Sequence, residues 1–153
     1  MGEILKNRLK MSKFEGPVQE ALLAIMVTAS ELRSEFDRTL ACQGLTGEQF
    51  NILRILRGQP EGHQCSEIAN RMVDRSPDVT RRIDSLEKQG LVEREHSKVD
   101  RRVVNVRITK KGLNMLDAVT PNQKEFEQKV TDNMSEKELR ELVVLCEKLM
   151  QIN

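Results

Sequence analysis

Apolar residues recur at helical spacing along most of the chain. From about Pro17 to Gln43, Val18, Leu22, Ile25, Ala29, Leu32, Phe36 and Leu40 advance in steps of four and three. That spacing predicts one amphipathic helix, about 40 Å long at about 1.5 Å per residue, and Gly44 ends it. Thr46-x-x-Gln49 has the form of a capping box opening a helix with Phe50, Leu53 and Leu56 on its inner face; Gly58, Pro60 and Gly62 close it. A shorter helix starts near Cys65 or Ser66 and buries Ile68, Ala69 and Met72. Gln64 is a poor cap, so its start is set only to within a residue or two.

In the next stretch Ser76 suits an N-cap, Pro77 the first helical position and Gly90 the position just past the end, which predicts a helix over 77–89. Val79, Ile83 and Leu86 form its inward face, leaving Pro77, Asp78, Arg81, Arg82 and Ser85 directed outward. LVERE and VVNVRI then read as two strands joined by the charged loop HSKVDRR, with Val104, Val106 and Ile108 on one side of the second. The order over 65–111 is helix, turn, helix, strand, basic loop, strand, which is that of a winged helix-turn-helix.

Thr109 can cap a further helix through Leu113, Leu116 and Val119, which Pro121 should kink or interrupt before Phe126 and Val130. Ser135-x-x-Glu138 is a second capping box, opening a last helix with Leu139, Leu142, Val143, Cys146 and Leu149 in register. The first dozen residues are polar-basic and uncapped, compatible with an arm or with a helical turn docked on a partner subunit. The long first stripe and the last one exceed what a small winged unit can cover. They predict a two-fold dimer interface, which closes without leaving a free apolar surface.

Composition sharpens this picture. The chain of 153 residues is 38% hydrophobic, enough for one domain with a core, but it has four Phe and no Trp or Tyr. Leu, Ile, Val and Met must fill that core, as packed helices allow. The expected fold class is therefore mainly α with a small β-hairpin wing, an α+β arrangement of a winged helix-turn-helix lobe and a helical dimerisation region. The net charge of +1 hides an asymmetry: residues 65–111 hold 12 of the 25 Lys+Arg but only eight of the 24 Asp+Glu. A basic excess confined to the winged unit is the footprint of a face that meets a polyanion.

Three cysteines without paired spacing make no disulfide framework, and no apolar run reaches the length of a membrane span. A cytoplasmic protein is expected. No Gly-rich phosphate loop or catalytic serine motif occurs, so no enzymatic activity, cofactor or catalytic residue is expected. His63-x-Cys65, with Cys42 at the end of the long helix, raises a thiol or metal switch as an alternative. Only two histidines and no Cys-x-x-Cys are present, so the cysteines read as small hydrophobes and no metal site is expected.

The run IANRMVDRSPDVTRRIDSLEKQGLVERE, then Asp100-Arg101-Arg102, then VRITKKG, resembles the MarR family of bacterial and archaeal transcription regulators. The likeness covers nearly the whole chain. It is carried most specifically by T-R-x-x-D-x-L-E-x-x-G-L-V-x-R at Thr80 to Arg94 and by the Asp-x-Arg wing. It implies a single domain over 1–153, with a DNA-binding lobe at 45–111 and a dimerisation region at 14–43 and 112–153. It also implies an obligate homodimer on a palindromic operator, acting as a repressor and released when a small molecule, a metal or an oxidant changes the spacing of its two lobes; a small-molecule effector is the expectation here. The family's peroxide-sensing branch pairs an N-terminal cysteine with tyrosines, and this chain has no tyrosine and no cysteine before Cys42.

On that reading Arg81 and Arg82 can reach guanine O6 and N7 in the major groove, and Ser76 with the first free N–H groups favours a phosphate. Thr80 can touch a phosphate or a thymine methyl, or bond back within its own helix. Asp84 offers a local salt-bridge partner. In the wing the resemblance assigns a minor-groove role to Arg102 and an orienting role to Asp100, while Lys98 and Arg101 fit phosphate neutralisation. A winged protein-interaction module without DNA binding is the competing reading, and the arginines at 81 and 102 speak against it.

Overall fold

The computed structural model describes residues 2–74, 78–96 and 103–152. Its elements are α1 (Glu3–Leu9), α2 (Pro17–Ala41), α3 (Gly47–Arg57), α4 (Cys65–Arg71), α5 (Val79–Lys88), β1 (Val92–His96), β2 (Val104–Ile108), α6 (Lys110–Thr131) and α7 (Glu136–Met150). This is a mainly helical fold carrying one antiparallel hairpin, in which Val92 pairs with Ile108 and His96 with Val104. An isolated bridge between His63 and Val106 adds a short third lane beside β2.

Caps set the helix boundaries. Thr46 accepts from the Gln49 amide while Gln49 bonds back to the Thr46 amide, and Ser135 and Glu138 do the same at α7. Each box satisfies two of the donors that a helix start leaves unpaired. Thr109 caps α6 by accepting from the Gly112 amide, and its hydroxyl also donates to the Gly90 carbonyl at 2.7 Å. The turn after α5 is thereby tied to the start of α6. Gln64 precedes α4 without a side-chain cap bond.

Two expectations change, and the opening segment, left open between an arm and a helical turn, takes a definite form. The opening residues form the seven-residue helix α1, held to α2 by an ion pair of Arg8 with Glu31 at 2.6 Å. Helix α5 starts at Val79 with Asp78 as its N-cap and no side-chain cap bond, while the expected cap Ser76 and first-turn Pro77 lie outside the described residues. Helix α6 runs through Pro121 without interruption. Pro121 is exposed, so the Asp117 carbonyl deprived of its donor can take water. Directly after it, Asn122 donates to the Thr39 carbonyl at 3.1 Å and anchors α6 on α2.

The core lies in the winged unit and in the two helix stretches against it. Leu53 and Leu56 of α3, Ile68 of α4, Ile83 and Leu86 of α5, Val106 of β2 and Leu116 of α6 are all fully or almost fully buried. Phe36 joins α2 to this core, its ring 5.4 Å from that of Phe50 and 5.6 Å from that of Phe126. Beyond that junction the apolar stripes lose their cover. Val18, Leu22, Ile25 and Leu32 on α2, and Leu142, Val143, Leu145 and Leu149 on α7, are exposed, and α7 buries none of its residues. Among the described residues, no helix is long and apolar enough to cross a membrane.

Candidate nucleic-acid interface

Helix α5 is seated by its apolar side. Val79, Ile83 and Leu86 are buried, each contributing about 1.5–3 kcal/mol on burial, and this fixes which side chains face outward. The face opposite carries Arg81, whose side chain is 83% exposed and whose guanidinium stands 3.3 Å from Asp78. Thr80 and Asp78 are exposed as well. An exposed pair of this kind is weak, so the guanidinium can leave Asp78 for a stronger partner.

The neighbouring positions do not project as freely as the helical pattern predicts. Arg82 is only 19% exposed and its Nε donates to Glu48 of α3 at 2.6 Å. Ser85 is half-buried, its hydroxyl accepting from Gln49 at 3.4 Å and Gln89 at 3.3 Å. Both lie on the flank of α5 that meets the first turn of α3, and that turn holds them. Of the two adjacent arginines, the structure presents Arg81 outward and turns Arg82 toward α3.

The other flank is held from the hairpin. Arg94 of β1 donates to Asp84 at 2.5 Å and also to Glu87, and its backbone amide donates to Glu87 at 3.2 Å. Asp84 therefore serves the strand rather than the arginines beside it in sequence. Burial disfavours the charge on Arg94, but the hydrogen bonds and negative charge of Asp84 and Glu87 outweigh it and raise its pKa. Glu48, Gln49, Glu87 and Arg94 belong to this site although the sequence patterns did not single them out for it. Glu48 carries no local signal, since its partner lies 34 positions away. Arg94 closes the family-like run quoted above.

The wing residues Lys98, Asp100, Arg101 and Arg102 lie outside the described residues, as do Ser76 and Pro77. Strands β1 and β2 flank the wing positions on either side.

A cleft of about 560 Å³ opens between α2, α3 and the segment that leads toward α5. Phe36, Phe50 and Met72 line it beside Arg33, Arg54 and Asp74. Arg33 bridges it, donating to both carboxylate oxygens of Asp74 at 2.5 and 3.2 Å. The Asp74 hydrogen bond, then its charge, raises the Arg33 pKa. Asn51 also accepts from the Val73 amide at 3.1 Å, so the approach to α5 is tied to both α2 and α3. Among the described residues no group of His, Cys, Asp and Glu is arranged to hold a metal ion.

Comparison with known proteins agrees with this architecture. The MarR family model matches residues 45–104. The transcriptional repressor MprA of Escherichia coli (strain K12) is 33% identical over 138 residues, an alignment spanning 88% of this chain and 78% of that protein. Among solved structures, a MarR transcription factor from Planctomyces limnophilus superposes with a TM-score of 0.67 at 33% identity, over 88% of this chain and 98% of the other. S. aureus MepR, solved as a complex with DNA, superposes with a TM-score of 0.75 at 25% identity, over 85% of this chain and 96% of the other. The winged unit, helix α5 within it and the flanking long helices thus belong together: the chain is a member of the MarR family of DNA-binding transcriptional regulators.

Proposed function

We propose that the protein works as a homodimeric repressor that binds a palindromic operator. The observation that carries this reading is the apolar stripe of α2 and α7, uncovered in a single chain whose winged unit is already packed. A second copy is the occupant that suits it, since two-fold pairing covers the same stripes on both chains and leaves none exposed. Two-fold pairing also duplicates α5, and two reading helices related by a two-fold read an inverted repeat with half-sites about 10 bp apart. The dimerisation region is then 14–43 with 112–153, and the DNA-binding lobe is 45–111.

In the lobe, Arg81 reads a base edge in the major groove, with Thr80 and Asp78 beside it and Ser76 and Pro77 near a phosphate. Arg82 and Ser85 act at the edge of this face, through the seat they share with α3. Lys98 and Arg101 neutralise phosphates, and Arg102, oriented by Asp100, enters the minor groove, as the family resemblance implies. The MepR–DNA complex supports a DNA partner for a relative of this fold.

A small-molecule effector releases the operator by entering the cleft beside Phe36 and Arg33. Its placement supports this: a ligand there meets the Arg33–Asp74 bridge, which lies on the approach to α5. The test is sedimentation of the purified protein with and without an operator duplex. A dimer that binds one duplex with one dimer supports the reading, whereas a monomer that binds DNA at full affinity overturns it.

A further inference from the structure

We propose that Arg94 is a positioning residue that locks the reading helix and the wing hairpin into one rigid reading head, an inference that rests on the reading of α5 as the DNA-contacting helix. Arg94 stands on β1, two residues before the strand ends and the wing positions begin. Its guanidinium spans Asp84 and Glu87, one turn apart on the same flank of α5, and its amide adds a third bond to Glu87. The side chain is 26% exposed, so these bonds form partly out of water, where a forked guanidinium holds its geometry better than a point charge.

The clamp has a geometric consequence. A helix in the major groove and a wing in the minor groove read one site only if the angle between them is fixed. Support of that kind is what holds a recognition constellation to within about 0.5 Å. On the opposite flank Glu48 and Gln49 hold Arg82 and Ser85, so α5 is gripped from both sides and only the Arg81 face is left for DNA.

The clamp also has an electrostatic consequence. Asp84 and Glu87 are carboxylates on a helix that faces a polyanion, and by charge alone they oppose binding. A sequence built only for attraction would omit them. Their presence fits a helix whose fixed orientation outweighs that repulsion.

These two consequences set up a test of opposite sign. An operator selected with the wild-type protein is compared with a scrambled duplex of equal length, for wild type, Arg94→Met, Arg94→Lys and the double variant Asp84→Asn/Glu87→Gln. Each protein is first shown to be folded by circular dichroism at the assay temperature. The clamp predicts that Arg94→Met and the double variant lose at least about tenfold in the ratio of operator to scrambled affinity, the size of one mismatched base pair. The double variant should do so while binding scrambled DNA at least as tightly as wild type, because two negative charges are gone. Arg94→Lys, which keeps the charge but not the fork, should recover only part of the loss. If both variants keep the wild-type ratio, with only a lower melting temperature, Arg94 is a fold-stabilising residue and the inference fails. If the wild-type protein shows no preference for any duplex, the DNA-binding reading itself fails, independently of the clamp.

Discussion

Arg82 of α5 donates to Glu48 of α3 at 2.6 Å with 19% of its side chain exposed, while its neighbour Arg81 is 83% exposed. Two identical side chains adjacent in sequence are thereby given different work. Replacing Arg81 with Ala should cost operator binding about 1–3 kcal/mol and relax the preference at one base position, leaving the melting temperature close to wild type. Replacing Arg82 with Ala should instead lower the melting temperature, because it leaves the partly covered Glu48 carboxylate without its cation. Titration of operator variants, alongside thermal melts, separates the two effects.

The uncovered stripes give a second expectation. Leu145 is 58% exposed in the single chain, and Leu22 and Leu149 are exposed as well. In the proposed dimer each becomes buried, worth about 1.5–3 kcal/mol per side chain. A charge at such a position, Leu149→Asp for example, should shift sedimentation toward monomer and weaken operator binding together. A variant that is monomeric yet binds the operator normally would count against the dimer.

Helices α2 and α6 carry a pH-dependent tie. The hydrogen bond from Lys129, followed by the charges of Arg38 and Lys129, holds the Glu35 carboxyl below the usual carboxylate range, and Glu35 in turn raises the Lys129 pKa. A depressed carboxyl contributes stability above its unfolded pKa and loses it as pH falls through the lower folded value. A raised lysine contributes below its unfolded pKa and loses it as pH rises through the higher folded value. The tie is therefore complete across neutral pH and fails at both extremes. Carboxyl NMR should show Glu35 titrating below an ordinary glutamate, and Lys129→Met should return it toward the ordinary range.

Gly112 sits in the first turn of α6 against the base of the hairpin, where Leu91 leads into β1 and Ile108 ends β2. A Cβ there would collide with the Leu91 carbonyl oxygen and press on the Ile108 side chain. Gly112→Ala should destabilise the protein by about 1–3 kcal/mol, against the usual gain for such a change in a helix, and denaturant unfolding reads this directly.

Phosphate contact should dominate affinity. If the dimer neutralises about eight phosphates, log affinity should fall with log salt at a slope of about −7. Removing Lys98 or Arg101 from both chains should make the slope shallower without changing which duplex is preferred.

The elements were legible in the sequence because their signals are local. Thr46 with Gln49 and Ser135 with Glu138 are three residues apart, and the structure forms both capping boxes as the spacing predicts. Val79, Ile83 and Leu86 share a helix face and are buried together. What the sequence hid is tertiary. Glu48 finds Arg82 across 34 positions, and Asp84 finds Arg94 through the fold of the hairpin rather than the arginines beside it. Pro121 reads as a kink or a break, yet the helix continues past it, with Asn122 bonded to α2. Helical periodicity tells which face is apolar and leaves the partner of each polar side chain to the packing of distant segments.

The most direct measurement is to incubate the purified dimer with fragmented DNA of its own host at moderate salt and to sequence what it retains. The account predicts one enriched inverted repeat whose half-site centres lie about 10 bp apart, protected at the major grooves and at the flanking minor grooves. Retention of fragments with no shared sequence, by a protein shown to be a folded dimer, would contradict it.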